Sequence, residues 1–293
     1  PNKTTPKVEL SGDTTYTYTG TSIQPSVTVT VDDKLLVKDK DYTVSYDDNT
    51  NAGKNAGKIY IYSNGNYGFE DYTQTFDIEK AEQKLSFQSE NVDDKTYSDC
   101  GEFVTNPLTR TVVAGAVTYS SSNEDVATVD SDGIAAIVGV GTANITATAG
   151  ETENYKIGTA TYTLTVGKAH LRVNEAPSVD NKDYDGKTDA EVTVFFVNEK
   201  DRPVTLAKGT DYTVTGTFRS PDASDSEQTV DVEITLSEDC AKNYELETDT
   251  YTASGYINKR PISIESASAV DRVYEQSNYS VEISGVTFNG VVE

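Results

Sequence analysis

An Asn-Tyr pair occurs three times in this chain, at Asn66-Tyr67, Asn154-Tyr155 and Asn243-Tyr244, with spacings of 88 and 89 residues. Each pair is followed by a strand rich in threonine and tyrosine: DYTQTFDIE (71–79), ATYTLTVG (160–167) and TYTASGYIN (250–258). Each strand runs into a lysine-marked joint, Lys80-Ala81, Lys168-Ala169 or Lys259-Arg260-Pro261. The period exceeds the roughly 20–50 residues of a solenoid repeat. It suits one whole β-sandwich of about 100 residues. The repeat therefore predicts a string of similar modules, not one large core.

The interiors of the modules follow from alternation. From Gln24 to Val31, Val27, Val29 and Val31 share one face and Ser26, Thr28 and Thr30 the other, the period of a strand. Asp32-Asp33 reads as a turn, Asp41–Tyr46 as a strand, Asp47–Gly57 as a polar loop and Lys58–Tyr62 as the next strand. In the second unit Val126–Val129 and Ile134–Val138 flank a turn at Asp130-Ser-Asp-Gly133. Gly139 and Gly141 permit positive φ before the return strand Thr142–Thr148. The third unit echoes the first: Asp211-Tyr-Thr-Val214 repeats Asp41-Tyr-Thr-Val44, and Tyr184-Asp-Gly186 repeats Tyr18-Thr-Gly20. No amphipathic helix of three turns is present. The expected boundaries are 1–80, 81–168 and 169–260, with 261–293 as the truncated start of a fourth module. Strands in that last piece are expected to lean on the third module or pair with a neighbouring edge. Joints of a few residues, with no Gly/Ser or Pro tract, predict an extended array of limited bending.

Lysine and arginine number 24 against 48 aspartates and glutamates, a net charge of −24. The excess is spread along the chain. Nucleic acid is disfavoured, because phosphates need a basic surface, and so are anionic membranes. The two cysteines, Cys100 and Cys240, fall in different units. A disulfide within one module is thereby excluded, and pairing requires that two units fold against each other. No apolar run reaches the roughly 18 residues of a membrane-spanning helix. The chain opens PNKTTPK, without Met, and reads as an internal piece of a longer protein.

Two stretches resemble known families. Residues 117–149, with SSNEDVATVDSDGIAAIVGVGTANITATA, are similar to the bacterial immunoglobulin-like group 2 domain. Tyr18-Thr-Gly20, Tyr184-Asp-Gly186, the two Asp-Tyr-Thr-Val strands and the Asn-Tyr elements resemble the YDG/MBG repeats of bacterial surface proteins. Tyr274-Glu-Gln departs from the Tyr-x-Gly form in the fourth unit. These resemblances imply an all-β chain of tandem immunoglobulin-like β-sandwiches, exported to the bacterial cell surface.

No catalytic residue is assigned. The single histidine, His170, cannot form a metal cluster alone, and it reads as an interdomain surface residue. Neither cysteine has a histidine nearby in sequence. With 48 carboxylates, acidic pairs arise by chance, and a narrow sandwich has no cleft for a glycosidase dyad. No cofactor is expected. Calcium is the one metal weighed, at the loops around Asp39/Asp41, Asp47/Asp48 and Asp130/Asp132, none of which matches the EF-hand pattern. An internal lysine isopeptide bond is weighed too, without support from spacing. Tyr60, Tyr62, Tyr67 and Tyr72 cluster around one hairpin and form the candidate binding patch, since sugars stack on aromatic faces. The expected function is a non-enzymatic stalk, spacer or adhesive array. Its ligand would be a protein or glycan of a host or neighbouring cell, with adjacent modules of the same chain as further partners. The alternative is a set of accessory or glycan-binding modules of a secreted glycoside hydrolase.

Overall fold

The computed structural model describes residues 4–274, 276–277 and 280–292. Short strands dominate. Among the described residues the helical elements are the 3-10 turn Tyr97–Asp99 and the single α-turn Cys240–Asn243. The chain divides into two compact units, Pro1–Asp94 with Gly101–Val166, and Lys95–Cys100 with Gly167–Glu293. The division falls within the strand Asn91–Thr96.

In the first unit, residues up to 79 form two sheets. One is Lys7–Leu10, Val27–Val31 and Lys34–Leu35; the other runs in the order Thr15–Thr17, Tyr72–Glu79, Gly53–Ser63, Tyr42–Asp47. Val29, Ile59, Ile61, Phe76 and Ile78 fill the space between them, and Val27 and Val31 pack against that core. The alternation read from the sequence therefore points inward as expected. Asp32 and Asp33 both take positive φ, 47° and 62°, as a two-residue hairpin turn requires. The expected polar loop is shorter than read, because the strand begins at Gly53 and carries a register shift between Gly53 and Gly57. Gly57 explains this: a Cβ there would lie 2.1 Å from the Phe76 ring, so the segment passes directly over a core aromatic.

The same unit holds a second core of Val126, Ile137, Ile145, Tyr162, Leu164 and others. Its larger sheet runs Val117–Ser121, Gly141–Ala149, Gly158–Gly167, Asn91–Thr96. Only one of the two expected glycines takes positive φ, Gly141 at 139°. Gly139 is required for closeness instead, since a Cβ there would sit 2.6 Å from the Asp125 carbonyl. Tyr162 meets Phe87 edge-on at 4.8 Å, and its buried hydroxyl has no hydrogen-bond partner among the described residues. An unsatisfied buried hydroxyl costs about 1–3 kcal/mol. Tyr162→Phe should therefore match or exceed the parent in stability, by about 1 kcal/mol in urea unfolding. A clear loss of stability would show that the hydroxyl is satisfied.

The second unit contains a third core, built from Leu171, Val192, Phe196, Phe218, Val230, Val232, Ile234 and Ile257 among others. Its main sheet runs Asp189–Ala190, Tyr212–Phe218, Gln228–Leu236, Thr250–Gly255. The repeated Asp-Tyr-Thr-Val motif has one structural meaning in both copies. Asp41 and Asp211 accept hydrogen bonds from the backbone N–H of Val37 (2.9 Å) and Ala207 (2.8 Å). Their neighbours Tyr42 and Tyr212 are buried in their cores. The aspartate closes a tight turn and the tyrosine anchors the strand that follows.

The last piece departs from expectation. Strands Ser263–Ala269 and Ile283–Asn289 pair with each other and join no other sheet. Every residue of both is exposed. The approach to the third core is made instead by Ile262 and Gly290–Val292, which share a groove with Tyr184 and Ala223. Two strands cannot bury a core of their own, so their apolar side chains stay outside. Glu275, in the Tyr274-Glu-Gln element, lies outside the described residues.

Candidate functional site

Two of the three Asn-Tyr elements that define the repeat, Asn154-Tyr155 and Asn243-Tyr244, meet a lysine joint in space. In the first unit, Ala81 of the Lys80-Ala81 joint pairs in parallel with Tyr155. The N–H of Ala81 donates to the Asn154 carbonyl and that of Lys156 to the Ala81 carbonyl, each at 2.9 Å. Tyr155 is thereby fixed next to the joint, and its ring meets Tyr18 of the preceding module edge-on, at 5.3 Å and 79°. The Asn154 side chain reaches the same module. Its oxygen accepts the Ala52 N–H at 2.8 Å and its amide donates to Asn51 at 3.2 Å. Lys80 donates to Glu151 (2.9 Å) and to the Thr152 carbonyl (2.8 Å).

The second unit repeats the arrangement. Ala169 of the Lys168-Ala169 joint pairs in parallel with Tyr244. The Tyr244 ring meets Tyr97 edge-on, at 5.2 Å and 86°. The Asn-Tyr tyrosine is thus held beside the entry joint of its own module and turned onto a tyrosine from earlier in the chain. Edge-on aromatic pairs contribute about 0.5–1.5 kcal/mol beyond the area they bury. A double-mutant cycle on Tyr18 and Tyr155, each replaced by Leu, should return a coupling energy of about 1 kcal/mol. Strict additivity would show that the rings merely lie close.

Polar contacts secure the Lys95–Cys100 segment within the second unit. Glu199 accepts from the hydroxyls of Thr96 (2.5 Å) and Ser98 (2.9 Å) and from the His170 N–H (3.0 Å). Asp99 is buried, accepts the Thr96 N–H at 3.2 Å and forms an ion pair with Lys200. Burial alone would push both carboxyls up. The hydrogen bonds from Lys200 and Thr96 outweigh it at Asp99, and those from Thr96, Ser98 and His170 at Glu199, so both are held below their ordinary values. His170 lies half exposed, with Nδ1 2.9 Å from Glu245.

The candidate tyrosine patch divides between two faces. Ile59 and Ile61 point into the core, so Tyr60 and Tyr62 point outward from the same strand; their rings stack at 6.5 Å and 17°. Tyr72 is registered opposite Ile61 and packs on the core side, as does Tyr67. Tyr67 is further engaged by Lys34, whose Nζ bonds its hydroxyl and lies 4.9 Å from its ring centre. The outward pair has only Thr43, Ser45 and Thr73 as its cross-strand neighbours.

In the acidic loops weighed for calcium, Asp41, Asp48 and Asp130 use their carboxylates in turns and an ion pair. Asp41 closes its turn as described. Asp48 pairs with Lys58 at 2.5 Å, and Asp130 accepts the N–H groups of Asp132 and Ile134, each at 2.9 Å. Among the described residues no group of three or more His, Cys, Asp or Glu side chains is placed to hold a metal ion, and no helix is long and apolar enough to cross a membrane.

These repeated joints belong to modules with recognisable relatives. Residues 167–253 match the YDG domain. Residues 113–151 match the immunoglobulin-like domain of intimin, a span that contains the VATVD and G-x-G-T elements. Comparison with curated proteins finds no match. Among solved structures, domains 1–6 of the surface layer protein SbsC are similar at 15% identity and a TM-score of 0.30, over 99% of this chain and 50% of that one. A 282-residue fragment of intimin, solved with the intimin-binding domain of its translocated receptor, is similar at 18% identity and a TM-score of 0.26, over 59% of this chain and 67% of its own. The eight N-terminal immunoglobulin domains of Down syndrome cell adhesion molecule give 10% and 0.26, over 92% and 38%. The chain spans about half the length of the surface-layer structures it matches. It is an all-β chain in which a stretch matching the YDG domain follows one matching the immunoglobulin-like domain of intimin. Within the YDG module, Tyr212 and Tyr244 of the repeated motifs serve core and joint respectively.

Proposed function

We propose that this chain is a non-enzymatic extracellular array on a bacterial cell surface, acting as the stalk or adhesive region of a larger protein. The observation that carries this reading is the recurrence of one joint, a lysine-alanine entry strand paired with an Asn-Tyr tyrosine that grips an earlier tyrosine. A chain selected for bearing load or holding spacing needs its joints specified as closely as its cores. The likeness of 113–151 to a module of intimin supports the surface assignment and favours a protein partner. The net charge of −24 favours solubility at a crowded surface. Antibodies raised against residues 4–260 should label intact, unpermeabilised cells of the source organism. Labelling only after permeabilisation would overturn the assignment.

The stacked Tyr60–Tyr62 pair favours a second reading, in which the first module binds glycans. A sheet face with two near-parallel rings is suited to sugar stacking. Glycan-array binding lost in Tyr60→Ala/Tyr62→Ala but retained in Tyr67→Ala would support it, and no binding by the parent would dismiss it.

A further inference from the structure

The chain's two cysteines stand in different sequence repeats, 140 positions apart, yet both border the same ring pair. Cys100 follows the 3-10 turn Tyr97–Asp99 and donates its N–H to the Tyr97 carbonyl at 3.0 Å. Cys240 opens the helical turn Cys240–Asn243, and the N–H of Tyr244 returns to its carbonyl. The backbone turns extended at Tyr244, at φ −126° and ψ 154°, and this bond holds that residue against the turn that Cys240 opens. The Tyr97 and Tyr244 rings touch at 5.2 Å. Both thiols act on these phenols. Burial, then Cys100 and Cys240, raise Tyr97, and burial with Tyr97 and both cysteines pushes Tyr244 up to about 12. Cys100 is exposed, Cys240 is buried, and both are thiols here.

We infer that Cys100 and Cys240 close an internal disulfide in an oxidising medium, fastening the Lys95–Cys100 segment to the Cys240–Asn243 turn within the second unit. The acceptor is a low-molecular-weight disulfide. The exposed Cys100 thiolate attacks one of its sulfurs, forming a mixed disulfide and expelling one small thiolate. The Cys240 thiolate then displaces the second, so that two protein thiols become one S–S bond and two small thiols carry away the protons. Burial pushes the Cys240 thiol up, which makes its step the slower one and speeds closure as pH rises. A closed bond needs the two Cα atoms within about 4.4–6.8 Å, so closure requires the exposed Cys100 to move up to the buried Cys240.

The oxidising medium follows from the extracellular reading, but the test supplies its own oxidant, so the two stand or fall separately. The native chain is incubated with oxidised glutathione and analysed by thiol titration, intact mass and peptide mapping. The expected result is a fall from two thiols to none, a mass lower by about 2 Da with no retained glutathione, and a peptide linking Cys100 to Cys240. Cys240→Ser should instead retain one glutathione on Cys100 or form a Cys100-linked dimer. Glutathione retained on the parent, a parent dimer, or two thiols that persist under native conditions but react after denaturation would overturn the inference.

Discussion

Replacing Gln83 with alanine should destabilise the first unit by about 3 kcal/mol. Gln83 is 4% exposed and lies two residues past the Lys80-Ala81 joint. Its Nε2 donates to the carbonyls of Gly150 (2.9 Å) and Lys156 (2.8 Å), and its Oε1 accepts the Gly115 N–H at 3.3 Å. Those carbonyls flank the Asn154-Tyr155 element, so one amide ties the entry strand to the segment carrying the joint tyrosine. Alanine leaves two carbonyls and one N–H to find other partners in a closed site, each at about 1 kcal/mol or more. The site cannot easily collapse: a Cβ on Gly115 would lie 1.9 Å from the Gly150 carbonyl oxygen, and one on Gly158 would lie 2.5 Å from that of Gln83. Gln83→Glu is the sharper variant. It keeps the shape but turns the donor into a charged acceptor facing two carbonyls, and should cost more than alanine. Urea unfolding gives the magnitude, and hydrogen exchange at Gly115 and Lys156 gives the place. A loss below about 1 kcal/mol for both variants would mean that water replaces the amide.

What the sequence made legible was local. Alternation at Val27–Val31 located an inward face because the strand period fixes it residue by residue. The repeated Asn-Tyr pairs were legible as closing elements, yet their work at the joints was not. Tyr155 grips Tyr18 and Tyr244 grips Tyr97, contacts separated by well over a hundred residues that depend on how each module enters the next. The division of the tyrosine patch was hidden for a related reason. Tyr60 and Tyr72 both sit in alternating strands, and only the register across the Asn64-Gly65 turn places Tyr72 opposite Ile61 and not opposite Tyr60. Gln83, Asp99, Glu199 and Lys200 carried no sequence signal, since a polar residue on a short strand or turn is the ordinary case until its burial is known.

Lys200→Met should weaken the second unit by about 2 kcal/mol, and the effect should depend on Asp99. Asp99 is 2% exposed; its carboxylate is balanced by the Lys200 ammonium and the Thr96 N–H. Methionine keeps the length of the lysine stem but removes the ammonium bonded to this buried charge, leaving the Thr96 N–H and the more distant Lys95 charge. Removing one partner of a fully buried pair costs about 3–5 kcal/mol. Lys200 is 38% exposed, so solvent screening lowers the figure here. Asp99→Asn in the same background removes the charge and should recover most of the loss. Acid should act on the same contacts. Both Asp99 and Glu199 are held below their ordinary values in the folded chain, so each binds protons more readily when unfolded. Their contribution is therefore complete above the ordinary carboxylate range, near about pH 4, and is lost as pH falls below it. Between neutrality and about pH 3 the parent should lose stability more steeply than Lys200→Met/Asp99→Asn. Hydrogen exchange in Lys95–Cys100 should report this loss first, because the segment depends on these carboxylates. Parallel acid profiles for parent and double variant would assign the acid sensitivity to other carboxylates. An undiminished loss in the double variant would mean that Lys200 acts through packing of its stem, not through its charge.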